Sequence, residues 1–303
     1  MTIFKNKKVE AHGNDAEAIA VGTTQAQLVW RQFKKNRGAM VGLAILIFLI
    51  LTMIFSSIVF DYKTDIIGKN SSQRFITPCL EHPFGTDQMG RSVLARVAYG
   101  TRYSFLIGFG AVAFSLLVGS SLGCIAGYYG GWVESVIMRT VEIFLMFPNM
   151  LLTIVIVAFT GVSLQNLVIC FGIAGTANFA RTARAAVLSV GNNEYVEAAR
   201  ACGVKDFHII LTHILPNALS PILVQATLRL GACITTAAGF SFLGLGVPVP
   251  TPEWGAMLSD GKEYIRMYPH LVLFPGLAIF LTVLSINLIG DGLRDALDPK
   301  LKR

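Results

Sequence analysis

Residues 194 to 216 read EYVEAARACGVKDFHIILTHILP, a mixture of charges, histidines and small residues set between long apolar runs. Three kinds of chemistry could use it. Metal binding by the histidines is disfavoured, because His208 and His213 are five apart and on one continuous helix would point about 140° from each other. Enzymatic chemistry fares no better: the chain has no H-E-x-x-H and no nucleophile with a base at a useful spacing. Recognition of another protein fits best. Ala198 and Ala199 give a helix a smooth flank that a groove could accept, and Glu197 stands beside it as a charge partner. A Glu-Ala-Ala tripeptide alone would be no more than an amphipathic connector.

Arg229 is the second candidate. It follows Pro216 by thirteen residues, which places it about 20 Å along an apolar helix at ~1.5 Å per residue. A charge at that depth costs at least ~2.5 kcal/mol on insertion scales, so it faces a cavity or a partner. Two readings stay open: a contact for a substrate carboxylate, or a structural pair with a carboxylate or helix end, including one on another subunit. Arg139 and Glu142 are three apart and read as a local pair. Cys79, Cys124, Cys170, Cys202 and Cys233 are odd in number and form no C-x-x-C, so they read as small apolar fillers.

The elements that position these residues belong in a bilayer. The chain is 53% hydrophobic and 14% charged, against about 25% charged in a soluble domain. Met40 to Phe60 holds no charge and is long enough for ~30 Å of hydrocarbon. It is too long for a signal-peptide core and follows a polar tail, so it reads as a retained first span. Five more spans are expected near residues 103–128, 143–159, 164–187, 216–245 and 270–289, the last three interrupted by Gly, Asn or Pro. Of the 25 Lys and Arg, 16 fall on the side of the termini, 8 on the other side, and Arg229 lies within a span. That bias predicts cytoplasmic termini. The net charge of +7 then reflects topology, and no nucleic-acid motif accompanies it.

The expected organisation is a cytoplasmic tail and interfacial helix over 1–39, with WRQFKKNR (30–37) as an aromatic–basic collar. A span over 40–60 and an extracytoplasmic loop over 61–102 follow. A core over 103–292 contains the cytoplasmic segment 191–216, and a cytoplasmic tail covers 293–303. Within 191–216, Asn192 or Asn193 is expected to cap a helix from Glu194, Gly203 to end it, and Asp206 to cap a second short helix that Pro216 passes on to the fifth span. The second outer loop, GLGVPVPTPEWGAMLSDGKEYIRMYP, is Pro- and Gly-rich around Trp254 and suits a rigid plug or a docking surface.

EAARACGVKDFHIILTHILP resembles the cytoplasmic signature of binding-protein-dependent ABC importer permeases: Glu-Ala-Ala, a Gly four positions after the last Ala, and Leu-Pro downstream. HPFGTDQMGRS (82–92), SFLGLGVPVPTPEWGAMLSDG (241–261) and GDGLRDALDPKLKR (290–303) are similar to the peptide-transporter branch, as is His213 where the general pattern often has Ile. Ser92 departs from that branch, which commonly has an acidic residue there. The resemblance runs from Trp30 onward. It implies an all-α membrane protein with six transmembrane helices and a cytoplasmic coupling helix, the ABC importer permease fold. It makes Glu197, Ala198, Ala199 and Gly203 the contact with an ATPase. The implied partners are a second homologous permease subunit, two cytoplasmic ATPase subunits, an extracytoplasmic substrate-binding protein and the lipid bilayer of a bacterial inner membrane. No G-x-x-x-x-G-K-[ST] occurs here, so no cofactor is expected in this chain, and ATP and Mg would belong to the partners. Dipeptides or oligopeptides lead as cargo, with glutathione-like peptides and nickel or nickel chelates as alternatives. A secondary transporter would place ionisable residues at the midplane of inverted repeats, whereas this sequence offers Arg229 and no evident repeat.

Overall fold

The computed structural model describes residues 25–297, which are mostly helical with no extended strand among them. The expected tails at 1–24 and 298–303 lie outside the described residues. In chain order the helices are α1 (Gln25–Lys35), α2 (Arg37–Val59), α3 (Val93–Tyr129), α4 (Gly131–Met146), α5 (Asn149–Thr160), α6 (Leu164–Gly191), α7 (Glu194–Ala201), α8 (Asp206–Phe242), α9 (Trp254–Gly261) and α10 (His270–Leu297).

α2, α3, α8 and α10 are each long and apolar enough to cross a membrane. The span expected near 143–159 is not one rod. α4 and α5 meet at a bend of 91°, because Pro148 cannot donate to the ladder and restricts Phe147 to an extended conformation. Counted as a broken pair they make a fifth crossing. Apolarity alone therefore gives four or five spans where six are expected, and the shortfall lies in α6. That helix has 28 residues, about 42 Å at 1.5 Å each, but carries Gln165, Asn166, Asn178, Arg181 and Arg184. Neighbouring helices bury nearly half of it, including Phe179, Ala180 and Ala183 at 0% exposure. A helix surrounded by protein need not be apolar on every face to lie within a bilayer.

α3 and α6 form the central pair. Gly119, Gly123 and Gly127 recur every four residues along α3, and a Cβ at the first two would stand 2.4 Å from the Thr176 carbonyl oxygen and 2.2 Å from that of Ala180. Small residues at this spacing let backbones touch, which is how helices associate where lipid tails are as apolar as leucine. α1 carries the collar but does more than anchor. Trp30 and Phe33 stack at 5.7 Å, Phe33 is buried with Ala39 and Ala296, and Asn36 Nδ2 donates to Asp295 on α10 at 3.0 Å.

Residues 61–92 and 243–269 close one end of the bundle together. Phe75 stacks on Tyr268 at 4.5 Å, and Phe84 stacks on Phe274 at 3.9 Å. Asp87 accepts from the Arg91 backbone at 3.0 Å and from Arg91 Nε at 2.7 Å, with Arg96 Nε 3.7 Å away. Burial raises the Asp260 carboxyl above its usual range, and Arg96 and Arg91 partly oppose that. Trp254 is fully buried, with Nε1 donating to the Val97 carbonyl at 2.9 Å. Glu253, 1% exposed, caps α9 through Gly255 N at 2.9 Å and Ala256 N at 2.8 Å. The Pro-rich loop is thus a plug whose tryptophan points inward, leaving no indole for a docking partner. The helix expected from Tyr103 starts at Val93, where Ser92 accepts from Ala95 N at 3.3 Å. That position needs an N-cap, and a serine supplies it as an acidic residue would.

Candidate functional site

At the other end lies the segment singled out by its composition. α7 is a single eight-residue helix. It ends as expected: Gly203 has φ +75°, its N–H donates to the Arg200 carbonyl at 2.9 Å, and the Val204 N–H reaches the Ala199 carbonyl at 3.2 Å. These two bonds form a Schellman motif, and a glycine takes the left-handed position without strain. The expected caps are not formed. Asn193 occupies the N-cap position, but its side-chain amide donates to the Tyr195 hydroxyl at 3.3 Å instead of accepting. Asp206 is already helical, with Lys205 as N-cap, and its carboxylate accepts from the Tyr128 hydroxyl at 2.6 Å. A long-range partner outcompetes the local cap.

The flank of α7 also differs from expectation. Glu197 and Ala198 are exposed, but Ala199 is half-buried and packs with Val204 on the core of Val196, Ile209 and Ile214. The exposed face is therefore Glu194, Tyr195, Glu197, Ala198, Ala201 and Cys202. Arg200 lies over the Tyr128 ring at 4.8 Å, so Tyr128 holds both arms of the bend to the end of α3. Glu134 of α4 and Arg184 of α6 form an ion pair at the same end, and the expected Arg139–Glu142 pair forms at 3.1 Å in the open. Tyr128 and the Glu134–Arg184 pair escaped the sequence reading, since nothing local in the sequence joins residues 50 to 78 positions apart. A π-helical turn over Ile210–Ile214 begins just after His208 and contains His213, which changes their relative direction; His208 is exposed and His213 half-buried.

Arg229 sits midway along α8 and is half-buried. It lines a cavity of about 60 Å³ together with Ser115 of α3, Asn149 and Thr153 of α5, Gly175 of α6, and Thr236. The structure does not bring Arg229 near the Glu197–Gly203 bend; the two candidates are separate sites.

These features define a class: a bundle of apolar helices with a bent helix pair on one membrane face and a rigid cap on the other. Residues 119–303 match the family described as binding-protein-dependent transport system inner membrane component, and residues 24–78 match the N-terminal TM domain of oligopeptide transport permease C. The chain is 49% identical over 273 residues to the dipeptide transport system permease protein of Alkalihalophilus pseudofirmus, covering 90% of this chain and 89% of that one. It is 42% identical over 277 residues to the glutathione transport system permease protein of Escherichia coli O157:H7, covering 90% of each. The methionine ABC transporter MetNI in an inward-facing conformation shares the fold, at TM-score 0.56 and 20% identity over 67% of this chain and 97% of that one. The chain belongs to the binding-protein-dependent ABC importer permeases, multi-pass proteins of the inner membrane. Within them it falls in the peptide-type branch.

Proposed function

We propose that this subunit moves dipeptides or oligopeptides into the cytoplasm, driven by ATP hydrolysis on separate subunits. The observation that carries the reading is the 49% identity to a dipeptide permease across nine-tenths of the chain, cap and bend included. Glutathione-like peptides are the second reading, favoured by the relatives named for glutathione at 42–45% identity. Nickel or its chelates follow behind.

In this reading the subunit pairs with a second, homologous permease, and two ATPases bearing ATP and Mg dock on the cytoplasmic side, where both termini lie. A binding protein delivers cargo to the 61–92 and 243–269 cap. Glu197, Ala198 and Gly203 form the contact with the ATPase, while Ala199 supports it from behind. Closure of the ATPases pulls on α7, and Tyr128 passes that movement to α3. Coupling needs only that the two ATPase states prefer two arrangements of the helices. The test is reconstitution of the full importer in proteoliposomes with its binding protein and a panel of dipeptides, longer peptides, glutathione and nickel. ATP-dependent accumulation of dipeptides or oligopeptides is the expected result; accumulation of glutathione or nickel alone would overturn the cargo assignment.

A further inference from the structure

The cavity beside Arg229 has a composition that the fold does not explain. Ser115 Oγ donates to backbone carbonyls, as do the hydroxyls of Thr153 and Thr236, so those groups are satisfied. No Asp or Glu lines the space. Among the described residues, no hydrogen bond or ion pair engages the Arg229 guanidinium. A guanidinium that opens into a cavity without an acid, halfway along a spanning helix, favours an anion there.

Two further features point the same way. Asn149, exposed on the cavity wall, begins α5, and that helix start has no side-chain cap because Pro148 occupies the cap position. The positive end of the α5 dipole therefore adds to the field of Arg229. Arg229, Ala232 and Thr236 also recur at helical spacing on one face of α8, and Ala232 and Thr236 are exposed, so the cavity opens along that face.

Size is compatible with such an anion: a water needs ~10–15 Å³ by this measure, so 60 Å³ holds a carboxylate and a few waters, and the rest of a ligand would lie along the open face. The planar fork of arginine matches a carboxylate through two parallel bonds. We propose that Arg229, with Asn149 beside it, forms a subsite in the translocation path for the C-terminal carboxylate of the peptide cargo. This rests on the peptide-import reading above.

The experiment uses the complete importer in proteoliposomes, with a peptide and its C-terminal amide, both first shown to bind the binding protein. Arg229→Gln should assemble normally and lower kcat/KM for the free-acid peptide about tenfold or more, the size of one lost charge-assisted bond. The amide, already slow in the wild type, should change by less than about twofold, and Arg229→Lys should recover part of the loss because charge remains without the fork. An equal fall for both peptides would overturn the subsite, as would failure of Arg229→Gln to assemble, since either marks a structural pair. If the binding protein rejects amides, an Ala232→Cys variant takes their place. It should react faster with an anionic than with a cationic methanethiosulfonate, and Arg229→Gln should abolish that preference. No preference in the assembled importer would overturn the subsite, because a partner subunit would then already neutralise the arginine. If the wild type accumulates no peptide at all, the cargo reading fails and this subsite with it; peptide uptake without discrimination removes the subsite alone.

Discussion

At the scale of single residues, Gly203 is the position whose identity is most tightly set by its backbone. A Cβ there would meet nothing within 4 Å, so crowding is no objection; the φ of +75° is. Gly203→Val should therefore cost about 1–2 kcal/mol locally, and it should loosen the bend without harming membrane insertion. Gly203→Asn, which tolerates the left-handed region, should lose less. Pull-down of the ATPases and uptake rate are the measurements, and wild-type values for Gly203→Val would reduce the segment to a connector. Ala198→Asp is the complementary change. It adds a charge to an exposed small-residue flank next to Glu197, so chain stability should hold within about 0.5 kcal/mol while ATPase association falls. Ala199→Asp would confound the two effects, since Ala199 is half-buried against the core.

At the scale of elements, the bend matters for what it is tied to. Tyr128 bonds Asp206 at the start of α8 and stacks beneath Arg200 at the end of α7. Tyr128→Phe keeps the ring and removes a solvent-exposed hydrogen bond worth about 1 kcal/mol or less. The importer should assemble and hydrolyse ATP, yet move less cargo per ATP, because α7 can shift without α3 following. A transport-to-ATPase ratio identical to wild type would show that force travels by another route. The α3–α6 pair makes a harder demand. Gly123→Val places a Cβ about where the Ala180 carbonyl oxygen already stands, 2.2 Å away, and the two backbones must part. Overpacking of this kind costs about 1–3 kcal/mol or more, visible as a lower melting temperature of the purified chain in detergent.

At the scale of the whole molecule, the two ends are built differently. The 61–92 and 243–269 end is cross-braced by stacked rings, by the buried Asp87–Arg91 pair and by the Trp254 plug. The α7 end is seated on the core through Val196, Ile209 and Ile214, and its polar ties to α3, through Tyr128, are exposed. A cross-braced face suits docking of a large partner, and exposed polar ties are the ones that give most easily when a partner pulls. Labelling of single cysteines in intact cells should find residues 61–90 and 248–266 accessible from outside, and 194–213 only after the membrane is opened. Labelling of the Gly203 region from outside would invert the topology and remove the ATPase contact with it.

Much of this was legible in the sequence. The apolar runs, the lysine and arginine bias, the glycine at 203 and the four motifs are local or periodic signals, and each follows from what one segment needs of its solvent or its backbone. The bend of 91° at Pro148 was the exception among local features, because hydropathy averages over a kink. What the tertiary structure alone decided concerns pairs far apart in the chain. Asp206 accepts from Tyr128 rather than capping its own helix, Ala199 turns inward, Trp254 faces the core, and α6 tolerates polar residues because other helices cover it. Whether Arg229 has a counter-charge belongs to the same kind. A sequence states that a charge lies deep in a span, but only packing shows which walls surround it, and here those walls carry no acid.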